Sequence, residues 1–500
     1  MTSLHTSLSI NPLDPIAPIN PNIYGHFAEH LGRCIYDGVW VGEDSPIPNT
    51  GGFRNDLIAA LRRLKPAVIR WPGGCFADDY HWQDGIGPRA ERPRRINIHW
   101  GEVIETNQVG THEFVQFCRL VGAQPYFCGN VGSGTPRELR DWVEYCNFPG
   151  DSTWARQRAA NGSPEPFQVT YWGVGNENWG CGGNFSPEDY GTEFRRFASF
   201  MRGFGGNKLF LIACGPSSND VEWTGRFFRK LNKDYWAFNN IHGFAAHYYC
   251  GTAGSATEYT LDQWYQLIFQ GLQMEPLVTQ QRAAMDMFDP QRRIGLLVDE
   301  WGTWHPVEKG TNPAFLYQQN TLRDALVAAT TLDIFNRHAD KVVMSNIAQT
   351  INVLQAMVLT QAEKMLVTPT GYVYEMYAPH QGGQAVRSLV ETDTVTYRRG
   401  DKDENLPVLA GSASLKGKTL FVTLTNAHAS SPVEVSVKLL GGAAALSIAA
   451  RLLSGEIHAH NTFDQPEALT PQPLSLQASG SAFTVPLPPA SIAALEVTLG

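Results

Sequence analysis

Between residues 20 and about 385 the chain keeps repeating one pattern, a short apolar run followed by a longer amphipathic stretch. Short apolar runs fit strands buried on both faces, and helical periodicity between them supplies the crossovers that parallel strands require. Eight runs stand out, at 22–27, 67–71, 124–130, 168–174, 209–214, 243–248, 294–299 and 341–347. The stretches between them carry helix signals. Over 54–65, Leu57, Ile58, Leu61 and Leu64 recur at helical spacing and Pro66 stops the run; Ser186-Pro187-Glu188 sets an N-cap and a first-turn proline at the start of another. Eight strands with intervening helices over this length predict an α/β fold, a (β/α)8 TIM barrel spanning 18–384.

Past residue 385 the texture changes. Residues 420–424, the alternation Val433, Val435, Val437, Leu439, and then Phe483, Val485, Leu487 read as strands with one apolar face, separated by Gly, Ser and Pro clusters. A small all-β sandwich is expected there. The segment before Pro15, with Leu4, Leu8 and Ile10, is expected to return to it as an edge strand, so that the second unit comprises 1–17 plus 385–500.

Charge and cysteine usage narrow the function. The 39 basic residues are spread among 48 acidic ones for a net charge of −9, with no basic run to neutralise phosphates, so neither nucleic acid nor a membrane is an expected partner. The N-terminus lacks the basic and apolar regions of a secretory signal, and no run of 18 apolar residues follows, which predicts a cytoplasmic protein. All eight cysteines fall in the first half with no CxxC pair, and reduced thiols are the expected state.

In such a barrel, catalytic groups sit where strands end at the C-terminal rim. Two carboxylates stand there: Glu177, just past the fourth apolar run, and Glu300, just past the seventh. Either alone is as readily a salt-bridge or capping group. Together they flank one position across the barrel mouth, and a pair ~5 Å apart is the arrangement of a retaining glycosidase. The tryptophans and glycines around both suit a sugar, since indole faces stack on C–H surfaces and glycines allow close approach.

Other rim residues have candidate roles. His26-Phe27-Ala28-Glu29-His30 matches an H-x-x-E-H zinc-peptidase string, but that chemistry needs a helix presenting both histidines, and Ile23-Tyr24-Gly25 reads as a strand. Zinc is therefore not expected there, and Glu29 is read as an acceptor for sugar hydroxyls. Arg70, ending the second run, is positioned to hold a carboxylate ionised, Cys75 to form a wall, and Tyr249, beside His247, to hydrogen-bond Glu300. Asn346, Gln349 and Gln355, at or beyond the eighth run, are amides able to read hydroxyls.

The strings GHFAEHLGRCIYDGVWVGEDSPIPN, RWPGGCFADDYHW, WGVGNENWGCGG, HYY, DEWGTW and NIAQTINVLQ together resemble the intracellular α-L-arabinofuranosidases of glycoside hydrolase family 51 over residues 21–381. The resemblance implies a clan-A barrel with a jelly-roll-like β-sandwich and no cofactor. It also implies retaining double displacement with Glu300 as nucleophile and Glu177 as acid/base. Carried over residue by residue, it makes Glu29, Arg70, Cys75, Asn176, Tyr249 and Gln355 ligands or supports of the arabinose subsite, with Gln349 competing with Gln355 for one role. Trp100, Asn219, Trp304 and Leu354 become the wall near the leaving group. The implied partners are arabinose-containing oligosaccharides derived from arabinan or arabinoxylan and other copies of the chain, as a hexamer. The alternatives are a β-xylosidase or endo-glucanase on the same barrel, a zinc peptidase through His26 and His30, and a non-catalytic sugar-binding protein.

Overall fold

The computed structural model of the protein describes residues 4–251, 253–478 and 480–500. Each of the eight apolar runs forms a strand: Gly25–Phe27, Val68–Trp71, Gln124–Gly129, Tyr171–Val174, Phe210–Ser217, Gly243–Cys250, Gly295–Thr303 and Val342–Ala348. Each pairs in parallel with the next, and the eighth closes on the first through Asn346 opposite Gly25. The expected barrel is therefore present. Its strands depart from expectation at their ends. The first is shortened because Pro21–Tyr24 forms a 3-10 turn, capped by the Asn20 side chain. The seventh runs on through Glu300 to Thr303, all of it buried and paired with the sixth as far as Cys250.

The helices follow their sequence signals. Asn55–Leu64 turns Leu57, Ile58, Leu61 and Leu64 inward and ends at Lys65, which takes a left-handed backbone with φ 55° immediately before Pro66. Burying four aliphatic side chains contributes about 1.5–3 kcal/mol each against chain entropy. Pro187–Ala198 starts on Ser186, whose side chain accepts from the Asp189 amide.

Of the remaining strands, nine form one sheet, and the others pair off as four short two-stranded ribbons. Leu8, Ile10, Val437, Leu424, Leu495 and Val497 share one core although their strands stand far apart in the sheet order, so the sheet folds over onto itself to enclose them. The N-terminal strand, Thr6–Pro18, is not the edge strand expected from sequence. It lies inside the sheet, antiparallel to Gln384–Thr392 and parallel to Val433–Leu439. Leu8 and Ile10 are fully buried, and that burial requires a neighbour on both sides.

The helix Leu322–Arg337 is buried along nearly its whole length and packs against this sheet. Asp333 anchors the contact. Its carboxylate accepts from Ser412 Oγ at 2.7 Å, Thr423 Oγ1 at 2.5 Å and Tyr377 OH at 3.2 Å, and burial pushes its acid up to about 6. Asp333→Ala leaves three hydroxyls without that acceptor, and the expected loss at neutral pH is about 2–4 kcal/mol. Denaturant unfolding measures it, and an unchanged midpoint would show that these hydroxyls do not depend on the carboxylate.

Candidate active site

At the C-terminal rim the strand ends enclose a cavity of about 340 Å³, within the range of small-ligand pockets. Glu177 and Glu300 both face it, as do Glu29 and Gln349 on one side and Trp100, Trp304 and Leu354 toward the mouth. One carboxylate oxygen of Glu177 lies within 4.8 Å of one of Glu300.

The two carboxylates are held differently. Glu300 is still inside its strand and only 6% exposed. Arg70 Nη1 donates to its Oε1 at 2.8 Å and Tyr249 OH donates to its Oε2 at 3.0 Å. Arg70 is itself fixed by Asn176, whose Oδ1 accepts from Nη2, and by an ion pair with Asp299 at 3.6 Å. Glu177 stands on the loop beyond its strand with φ 41°, a left-handed conformation uncommon for a side chain of this kind. The turn is made possible at Gly175, with φ 89°, where an added Cβ would meet Asn178 Oδ1 at 2.1 Å. Asp78 supports the same turn by accepting from the Asn176 amide at 2.8 Å. Asn176 Nδ2 is buried and has no hydrogen-bond partner among the described residues, which leaves one donor free beside the pair.

His247 connects the carboxylates. Its Nδ1 is 2.9 Å from Glu177 Oε1 and 3.5 Å from Glu300 Oε2, and its Nε2 is 3.0 Å from Asp299 Oδ1. Burial alone would push the imidazole down. The Glu300 carboxylate, with the hydrogen bonds to Asp299 and Glu177, reverses this and pushes it up to about 10, so it is a cation at neutral pH. Burial works against Asp299 as well, yet Arg70 and then His247 hold it at about 2.

At Glu300 the balance differs from the sequence expectation that Arg70 and Tyr249 would keep it fully ionised. Burial is the largest influence and raises it; His247 lowers it, Glu177 raises it and Arg70 lowers it, and the net is a carboxyl above the ordinary glutamate value. The nearby Glu177 carboxylate thus adds to burial in favouring the protonated form of Glu300.

A raised histidine contributes stability that is complete below its unfolded value of about 6.5, declines as pH rises and is gone once the folded value of about 10 is passed. The stability difference between the protein and His247→Gln should therefore shrink steadily from pH 7 to 10 in denaturant titrations. A difference constant over that window would show the imidazole to be neutral.

Glu29 closes the floor. Its Oε1 accepts from the Phe76 amide at 3.2 Å and from Trp100 Nε1 at 2.9 Å, while Gln349 Nε2 reaches its Oε2 at 3.3 Å. Burial, reinforced by Glu300, pushes its acid up to about 8. It therefore carries a proton at neutral pH and can donate to a bound hydroxyl as well as accept. Gly74 passes so close that a Cβ there would sit 2.8 Å from Glu29 Oε2.

Three expectations are corrected. Gln355 does not face the cavity: its Oε1 accepts from the Thr303 amide at 2.9 Å and its Nε2 donates to Asp324 O and Thr370 Oγ1, so its amide serves the loop and Gln349 is the amide at the site. Asn219 is turned away from the cavity, its Nδ2 donating to Gln280 Oε1 at 2.9 Å and its Oδ1 accepting from Gln281. Cys75 and Cys181 are not reduced thiols but a disulfide, 106 residues apart in sequence. Their sulfurs lie 3.9 and 3.5 Å from Glu177 Oε2, and Cys75 forms part of the cavity wall.

The H-x-x-E-H string lies on a strand and the loop after it. His26 is fully buried beside Tyr374, and His30 is bound to Glu105 at 2.7 Å and to Trp71 Nε1 at 3.0 Å, so the two imidazoles do not converge. Asn346 Nδ2 donates to the His26 carbonyl, on the barrel wall. Sequence reading missed Asp299, Asp78, Ser217 and Ser218. Asp299, adjacent to Glu300 at the end of an apolar run, carried a readable signal; Ser217 and Ser218 did not, because the fifth strand continues past its apolar run to Ser217.

The sequence profile of the α-L-arabinofuranosidase 1 domain matches residues 60–263, and that of the α-L-arabinofuranosidase C-terminal domain matches residues 299–491. The chain is 42% identical to an intracellular exo-α-L-arabinofuranosidase of Bacteroides ovatus over 96% of its length and 93% of that protein's. It is 33% identical to a probable α-L-arabinofuranosidase C of Aspergillus terreus, over 86% and 87%. Among solved structures, the family 51 arabinofuranosidase of Xanthomonas axonopodis pv. citri matches with a TM-score of 0.94 and 43% identity, covering 99% of this chain and all of that one.

Proposed function

Because the chain belongs to the α-L-arabinofuranosidases of glycoside hydrolase family 51, we propose that it removes terminal non-reducing α-L-arabinofuranosyl residues with retention of configuration, using Glu300 as nucleophile and Glu177 as acid/base. One observation carries the assignment of the pair: carboxylate oxygens within 4.8 Å across the cavity, a separation that leaves no room for the water an inverting enzyme places between its carboxylates.

In the first step a Glu300 oxygen attacks the anomeric carbon, the bond to the leaving oxygen breaks, and the Glu177 proton goes to that oxygen. Arg70 and Tyr249 fix the attacking carboxylate. The cationic His247 offsets the charge the pair gathers. In the second step water attacks the same carbon, the bond to Glu300 breaks, and Glu177 takes the proton. The free Nδ2 of Asn176 and the protonated Glu29 are donors suited to ring hydroxyls. Trp100, Trp179 and Trp304 near the mouth suit the sugar that departs.

The same proposal takes arabinan- or arabinoxylan-derived oligosaccharides as substrates in the cytoplasm, a hexameric assembly, and a chain divided into 18–384 and 1–17 plus 385–500. The test is a panel of aryl glycosides with proton NMR of the first-formed product. An α-L-arabinofuranoside should be hydrolysed fastest and release the α anomer first. A faster β-D-xyloside, or initial release of the β anomer, would overturn the reading.

A further inference from the structure

Cys75 begins a short turn after the second barrel strand, and Cys181 follows Glu177 by four residues on the loop after the fourth. The disulfide thus ties the loop that carries Glu177 to the loop after the second strand, with both sulfurs within 4 Å of one carboxylate oxygen. It is the one place among the described residues where thiol chemistry meets the cavity, because Cys34, Cys118, Cys128, Cys146, Cys214 and Cys250 are all buried and free.

We propose that opening this disulfide creates a binding site for a soft divalent cation, with Cys75, Cys181 and Glu177 as ligands, and that the intact bond shields Glu177 from such metals. One ligand atom from each of the three residues already lies within 4.8 Å of the others. Zinc binds thiolate sulfur at about 2.3 Å and carboxylate oxygen at about 2.0–2.2 Å, so tetrahedral ligands stand roughly 3.5–3.8 Å apart. Small side-chain rotations reach that spacing, and the fourth position opens to the cavity. Two thiolates select zinc or cadmium over the hard cations that carboxylates alone would take.

The chemistry balances. A dithiol attacks the disulfide, is oxidised to its own cyclic disulfide, and passes two electrons and two protons to Cys75 and Cys181. The cation then displaces both thiol protons as two metal–sulfur bonds form. A metal on Glu177 also occupies the oxygen that must carry the catalytic proton, so binding stops turnover.

The site exists whether or not Glu177 is the acid/base, so binding and activity are read separately. Full-length enzyme, as isolated and after reduction with a dithiol and desalting, is titrated with cadmium while the ultraviolet charge-transfer band of cadmium–thiolate is followed. The reduced enzyme should show the band saturating at one cadmium per chain, and the oxidised enzyme none. Cys75→Ser/Cys181→Ser under the same reduction should show none either. In parallel, zinc should lower hydrolysis of an unactivated arabino-oligosaccharide by the reduced enzyme on the order of 10²-fold, the size of a lost general acid, and a chelator should restore it. Absence of the band in the reduced enzyme, or an equal band in the double variant, overturns the proposal. Equal zinc inhibition of the oxidised enzyme overturns it too, since the metal would then sit on Glu177, His247 and Glu300. A band without inhibition leaves the metal site standing and instead counts against Glu177 as acid/base.

Discussion

Glu300→Ala should hydrolyse an aryl α-L-arabinofuranoside on the order of 10⁴-fold more slowly than the parent enzyme, or worse, equivalent to about 5.5 kcal/mol of transition-state stabilisation. The loss exceeds that of any other residue because the covalent intermediate cannot form. Arg70 and Tyr249 remain but aim their donors at an empty space, and Arg70 keeps its ion pair with Asp299, so the folded structure should survive. Azide is small enough to enter where the carboxylate was. It should restore turnover and give the β-configured glycosyl azide, because one displacement replaces two. Gas or liquid chromatography of the azide product settles the anomer. An α-configured azide, or residual activity within tenfold of the parent, would remove Glu300 from the nucleophile's role.

Much of this arrangement could be read from the residues alone, and the parts that could not share a cause. Parallel barrel strands are buried on both faces, so they stand out as apolar runs, and all eight were visible. Their C-terminal ends were less so: Glu300 looks like the start of a loop, yet the strand passes through it because Arg70 and His247 compensate its charge inside the barrel. Glu177 and Glu300 could be paired from strand number alone. Whether Gln349 or Gln355 faced the sugar could not, because both follow the same strand and only the path of the intervening loop separates them.

Contacts between distant segments were the hardest to see. Thr6–Pro18 joins partners nearly 400 residues away, and nothing local tells an interior strand from an edge one. Cys75 and Cys181 carry no diagnostic spacing, since they meet only after the second and fourth strands bring their loops together. The same held for His247. In the sequence it is only the neighbour of Tyr249, whereas its charge state is set by three acids, one on the loop after the fourth strand and two on the seventh.

Glu177→Ala should show a loss that depends on the leaving group, which separates it from Glu300→Ala. With an arabino-oligosaccharide, whose departing hydroxyl needs a proton, turnover should fall by about 10²–10⁴-fold, the usual contribution of a general acid. With a dinitrophenyl glycoside, which departs unaided, the first step should be nearly unaffected and the second should become limiting, because no base remains to activate water. The glycosyl-enzyme should then accumulate, visible as a burst of aryl alcohol and a lowered KM. Azide needs no base. It should attack the accumulated intermediate at Glu300 and give the α-configured azide, opposite to the product expected from Glu300→Ala. His247 loses its partner at 2.9 Å but keeps Asp299 at 3.0 Å, so its orientation should hold and the effect should remain confined to proton transfer. Equal losses on activated and unactivated substrates would assign Glu177 a binding role, and the acid would have to be sought elsewhere around the cavity.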